Sequence, residues 1–189
     1  MPAAERVIEN PVSGERIVIR TAAAETDGKL MEWDLFLAPG GRVPSSHCHP
    51  GQVETFTVLE GRLRFRIGLR RVIAGPGDQV RVAANTVHHF ANAGRETVHV
   101  AVRTEPALNM EELLATAAAL GRNQVAAGRR LPHLIDLALF VRDFAAEVRA
   151  PVLPPSLVAA ALQPVVRLAR RFGWDRRYRR ARDSGAGRR

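Results

Sequence analysis

Through the first 105 residues, short runs alternate apolar and polar side chains, and beyond Pro106 that period of two gives way to a helical one. The run at 62–67, RLRFRI, is the cleanest: Leu63, Phe65 and Ile67 share one face, and Arg62, Arg64 and Arg66 share the other. Successive side chains of a strand point to opposite faces, so such a run suits a sheet with one buried and one wet side. Comparable runs stand at 16–20, 30–38, 54–59, 78–83 and 97–103, divided by turn sequences such as GPGD at 75–78 and NAG at 92–94. Strands this short and this evenly spaced predict a sandwich or barrel. Past Pro106, Asn109 is expected to cap a helix that Gly121 ends. A second helix is expected from Pro132 to about Arg149, with Leu134, Leu137, Val141, Ala145 and Val148 as its apolar stripe. A third, from Pro155 to about Phe172, is expected to bend or restart at Pro164. The chain thus divides into a β-barrel (1–105), a helical extension that packs on the barrel or on a dimer partner (106–175), and a basic, flexible tail (176–189).

Charge is unevenly placed. The chain carries a formal +9, yet from residue 165 onward ten arginines stand against only Asp175 and Asp183. A polyanion role would belong to that end and not to the body. No short-turn helix pair with a polar recognition helix follows the barrel. The terminal helix is therefore expected to pack on the barrel or across a dimer, and neither nucleic acid nor a membrane surface is the favoured partner. One cysteine, Cys48, excludes an internal disulfide. No stretch has the order of a signal peptide, and the longest uncharged run, 150–166, carries four prolines. A cytoplasmic protein is expected.

Four of the six histidines fall in two groups, His47 with His49 and His88 with His89. On an extended segment His47 and His49 project together while Cys48 points away, which suits Cys48 to packing. Two imidazoles on one face are a ready chelate. Glu54 shares its strand face with Phe56 and Val58, and a carboxylate aimed into an apolar interior is costly unless paired or metal-bound. His89 lies opposite His88, and His99 and His133 read as packing or surface residues.

Measured from Gly41, the chain reads glycine, five residues, His47, one residue, His49, four residues, Glu54, six residues, Gly61. This resembles the first motif of the cupin family at every fixed position. Gly77, His88 and Asn92 follow at the intervals of the second motif, with Ala83 in place of the usual proline and Asn85 in place of the usual glycine. The resemblance covers residues 30–105. It implies a mainly β fold, a double-stranded β-helix of jelly-roll type followed here by an α-helical extension, and one divalent metal ion (iron, nickel, manganese or zinc) on His47, His49, Glu54 and His88. It also implies a homodimer paired through sheet edges. Family chemistry includes dioxygenases, isomerases and decarboxylases, so the leading expectation is a metal-dependent dioxygenase or isomerase with Glu54 doubling as proton acceptor. A pocket of Trp33, Leu35, Phe56, Phe65, Val80 and Phe90 would suit a small apolar or aromatic molecule. The alternative is a non-catalytic metal- or small-molecule-binding cupin, since no acid/base group besides the ligands stands out; an arginine-tail polyanion binder ranks third. In order and composition the chain also resembles cupin-domain proteins of G+C-rich actinobacteria that append about three helices to one barrel.

Overall fold

The computed structural model describes residues 6–43, 45–151 and 154–186; positions 1–5 of the expected barrel and 187–189 of the expected tail lie outside them. Nine antiparallel strands come first: β1 Arg6–Asn10, β2 Glu15–Thr21, β3 Met31–Leu37, β4 Val53–Glu60, β5 Leu63–Ile67, β6 Arg70–Ala74, β7 Gln79–Val82, β8 His88–Asn92 and β9 Val98–Glu105. They form a six-stranded sheet in the order β1-β2-β3-β9-β4-β7 and a three-stranded sheet in the order β6-β5-β8. This is the double-stranded β-helix that was expected. The alternation at β5 holds, with Leu63 and Phe65 buried and Arg64 and Arg66 exposed. The rings of Phe56 on β4, Phe65 on β5 and Phe90 on β8 meet at centroid distances of 5.2, 5.4 and 6.0 Å, and so lock the two sheets together. Strands β1, β6 and β8 lie beyond the runs read from the sequence. Each is five residues long, and β8 reads HHFAN, too polar to stand out by alternation.

Two motif residues prove to be architectural. A Cβ on Gly41 would fall 2.7 Å from Leu37 Cδ1 and 2.8 Å from the Ala38 carbonyl oxygen, so only glycine lets the chain turn this close to β3. The Asn92 amide donates to the carbonyls of Leu37, Ala38 and Glu96 at 2.9, 3.1 and 2.8 Å, which ties β8 to the end of β3.

Four helices follow: α1 Met110–Ala126, α2 Leu134–Asp143, α3 Pro155–Phe172 and α4 Arg176–Ala186. The sequence expectations change at each. Helix α1 runs through Gly121 rather than ending there. A Cβ at that position would stand 2.5 Å from Asn10 Oδ1, so the glycine serves the approach of α1 to β1 and not a helix stop. Asn109 occupies the N-cap position but makes no side-chain cap, its amide donating to Glu147 Oε1 at 3.0 Å instead. Helix α2 is shorter than expected, and its buried residues are Asp136, Ala138 and Leu139; Leu134 and Leu137 are exposed. Helix α3 continues through Pro164, which is exposed. Residues 176–186, expected as flexible, are helical because α4 buries Tyr178 and Ala181 and ties Arg177 to Asp136 and Arg182 to Glu112 and Asp143.

The extension is continuous with the barrel core. Met110, Leu113 and Phe144 belong to the same buried cluster as Phe56 and Phe65. Helices α3 and α4 pack instead on a second cluster around Leu139, Val166 and Tyr178. Phe144→Ala should therefore cost about 3–5 kcal/mol, the range for a buried aromatic. Chemical denaturation would measure it, and a cost below about 1 kcal/mol would mark the helices as an appendage.

Candidate metal centre

Three imidazoles converge at one end of the barrel. The segment carrying His47 pairs with the start of β8, its amide bonding the His88 carbonyl at 3.0 Å and the His88 amide returning the bond at 2.8 Å. The ladder sets the two rings side by side, with centroids 4.5 Å apart. His49 follows two residues on, and its ring lies 5.0 Å from that of His47. One nitrogen from each of His47, His49 and His88 lies within 4.8 Å of the others, a grouping that could hold a metal ion. Glu54, second residue of β4, brings Oε2 to 3.3 Å from His49 Nε2 and 3.1 Å from His88 Nε2. All four residues read as ligands from the sequence are thus brought together.

The far side of each ring is also engaged. His47 Nδ1 meets the Ser45 carbonyl at 3.1 Å, His88 Nδ1 the Thr86 carbonyl at 3.0 Å, and His49 Nδ1 the Glu147 carbonyl at 2.6 Å. A carbonyl can only accept, so each Nδ1 carries a proton and each Nε2 is turned inward. Both nitrogens of His49 and of His88 therefore face acceptors, a carbonyl on one side and the Glu54 carboxylate on the other. A neutral ring has one N–H. The arrangement is satisfied either by protonated rings or by a cation among the Nε2 atoms and the carboxylate, and the donor set of three imidazoles and one carboxylate fits a divalent transition metal.

Electrostatics follow from burial. Desolvation lowers His47 to about 4, helped by the charges of His88 and His49. Burial alone would lower His49 too, but Glu54 and the Glu147 carbonyl outweigh it and raise that ring above its ordinary value. Burial would raise Glu54, yet His49 and His88 hold its carboxyl far below the usual range. Glu15, on β2, goes the other way. Burial raises it and the charge of Glu54 adds to the effect, against a 2.5 Å hydrogen bond from Ser13 Oγ to Oε2.

These groups open into one cavity of about 510 Å³, bounded by the barrel mouth and by α1 and α2. Its lining includes the polar groups of His47, His49, Glu54 and Glu15, the apolar side chains of Trp33, Phe90, Met110, Leu114 and Phe140, and Arg129, Arg130 and His133. Of the six pocket residues read from the sequence, only Trp33 and Phe90 line it. Leu35, Phe56, Phe65 and Val80 are buried in the barrel core, because the interior of so small a barrel is filled by its own side chains. Glu15 and the α1 and α2 walls were missed. Glu15 shares a strand face with Ile17 and Ile19, the signal that marked Glu54, whereas nothing local in a helical sequence says which barrel end it will roof.

Cys48 is buried away from the rings, its thiol 3.8 Å from Asn85 Oδ1, and Asn85 takes the positive φ of 60° that the family's glycine would take. His89 meets Ser46 Oγ at 3.1 Å, and His99 stacks on Phe36 at 4.3 Å. Because His49 holds its proton more tightly than a free imidazole, metal must displace that proton. Zn²⁺ binding should release protons and weaken about tenfold per pH unit below the raised His49 value. Calorimetry in buffers of different ionisation enthalpy would show it, and binding independent of pH from 5 to 7 would contradict it.

Residues 33–103 match the family model described as the cupin domain. No curated protein matches the chain at a significant level. Among solved structures, the cupin domain of Schizosaccharomyces pombe Cnp3 aligns at 12% identity and a TM-score of 0.43, over 48% of this chain and 64% of that one. The chain thus spans just under two thirds of that relative. Pac13, a nucleoside dehydratase of Streptomyces, aligns at 17% identity and a TM-score of 0.46, over 57% and 80%. An RmlC-like cupin from Shewanella frigidimarina aligns at 14% identity and a TM-score of 0.49, over 58% and 91%. The matched segment runs from β3 to β9 and contains His47, His49, Glu54 and His88, so this stretch of the chain is similar to a cupin domain.

Proposed function

We propose that the protein binds one divalent transition-metal ion through His47, His49, His88 and Glu54, and acts on a small, largely apolar molecule held between that ion and the arginines of the cavity. The supporting observation is one cavity lined by His47, His49 and Glu54, by aromatic and aliphatic side chains, and by Arg129 and Arg130. Neither arginine makes an ion pair among the described residues. A ligand with an acidic group at its outer end would meet them.

Bound there, the ion supplies Lewis acidity toward a substrate oxygen or a site for dioxygen. The chain's own groups supply proton chemistry. Glu54 stays ionised beside His49 and His88, and Glu15, raised by burial, can hold and donate a proton. Two carboxyls in one cavity whose proton affinities are pushed apart leave one ionised and the other able to donate a proton. The sequence offered only Glu54. The second carboxyl favours catalysis over simple binding, and among the family's reactions it suits an isomerisation by proton transfer more closely than oxygen insertion.

Fluorine NMR of small fluorinated aromatic acids against the Co²⁺-loaded protein tests this reading. Ligands seated beside the ion should be broadened by it, and Ala117→Phe, which fills the cavity from α1 without touching the four ligands, should abolish the broadening while cobalt is retained. No broadened ligand, or broadening that survives Ala117→Phe, would contradict the proposal.

A further inference from the structure

Helix α3 has two apolar faces where a helix on a globular surface needs one. Val158, Leu162, Val166 and Ala169 are buried or half-buried, with Val166 joining Leu139 of α2 and Tyr178 of α4. Leu157, Val165, Leu168 and Phe172 recur at helical spacing on a different side and are exposed. The stripe ends in a stacked pair, Phe172 and Trp174, with ring centroids 5.3 Å apart and exposures of 60% and 55%. Gly173, at a φ of 69°, turns the chain there and caps the helix.

The arginines of α3 and α4 divide into two sets. Arg170, Arg177, Arg179 and Arg182 pair with Asp143, Asp136, Asp175 and Glu112. Arg167, Arg171, Arg176 and Arg180 are exposed and make no ion pair among the described residues. Arg167 and Arg171 sit one helical turn apart at the border of the stripe, and Arg176 follows Trp174 by two residues. Exposed aromatics beside unpaired cations, on a helix that is not itself long and apolar enough to cross a membrane, form the surface of an interfacial helix.

We propose that this face docks on an anionic lipid bilayer, with α3 lying in the plane of the surface, Phe172 and Trp174 among the headgroups, and the four free arginines on lipid phosphates. Charge complementarity selects this occupant. A second copy meeting the face about a two-fold axis would set four unpaired arginines against the same four, a like-charge juxtaposition. A nucleic acid would use the arginines but leave the aliphatic stripe in water. Of the two sequence expectations for this helix, packing on the barrel or across a dimer, the first does not account for the stripe, because α3 rests on α2 and α4 through its other face.

The full-length protein can be mixed with vesicles of phosphatidylcholine alone or with one quarter phosphatidylglycerol, and the bound fraction measured by sedimentation. Tryptophan emission gives a second reading, since the chain has two tryptophans and Trp33 is buried. Binding should be at least tenfold stronger on the anionic vesicles and should shift Trp174 emission to the blue. Leu168→Asp with Phe172→Asp should reduce it about tenfold, as should Arg167→Glu with Arg171→Glu; all four positions are exposed, so both variants should melt with the parent. Equal partition onto both vesicles, or none, would overturn the proposal. So would retention untouched by Leu168→Asp with Phe172→Asp, the result expected of charge-only binding to a polyanion such as heparin or DNA. A lipid-free dimer that produces the same emission shift would overturn it in favour of a second copy.

Discussion

Glu54 is a carboxylate buried among three imidazoles, and the need to compensate its charge organises this end of the molecule. Taking an ion out of water costs several kcal/mol even after relaxation, and removing one partner of a buried pair costs about 3–5 kcal/mol. The chain meets that demand from three directions. The His47 and His88 backbone ladder sets two rings together, β4 delivers the carboxylate, and three carbonyls turn every Nε2 inward. One of those carbonyls belongs to Glu147, close to the C-terminal end of α2. The helical extension therefore fixes the orientation of a metal-ligand candidate in the barrel.

That contact changes what the extension is for. Met110, Leu113 and Phe144 complete the barrel's apolar core, and α1 and α2 wall the cavity that the metal-ligand candidates face. Barrel and helices make one site between them: the barrel contributes the ligand groups and Glu15, the helices contribute most of the apolar wall, and the segment between α1 and α2 contributes Arg129 and Arg130. Helix α3 stands outside this site, and α4 reaches it only through Arg177, which pairs with Asp136 in the cavity wall. They cover α1 and α2 with one face and leave the other, apolar and basic, to solvent.

What was legible in the sequence was whatever a short period or a fixed spacing encodes. Alternation located β5 and oriented Leu63 and Phe65, and the spacing from Gly41 to Gly61 brought His47, His49 and Glu54 together before any coordinates. Long-range packing was not legible. Phe56, Phe65 and Phe90 read as pocket lining, but three aromatic rings on facing sheets fill the barrel between them and push the cavity to its mouth, where only Phe90 keeps an edge. Gly121 read as a helix stop because glycine is a poor helix former, yet the close approach of Asn10 gives it a packing reason. The basic end read as loose because its charge is high, and its helix forms in part because acidic residues more than twenty positions away, Asp136, Asp143 and Glu112, pair with Arg177 and Arg182. Glu15 was readable from the face it shares with Ile17 and Ile19, and a period-two reading of β2 with its acidic residue included would have found it.

The account rests on a metal ion among Glu54 and the three rings, and elemental analysis of the untagged, natively purified protein by inductively coupled plasma mass spectrometry tests that most directly. About one equivalent of iron, nickel, manganese or zinc per chain, lost in His88→Ala, is the expected result. No metal in the parent protein, or equal metal in His88→Ala, would contradict it and leave the cluster as a buried histidine–carboxylate network.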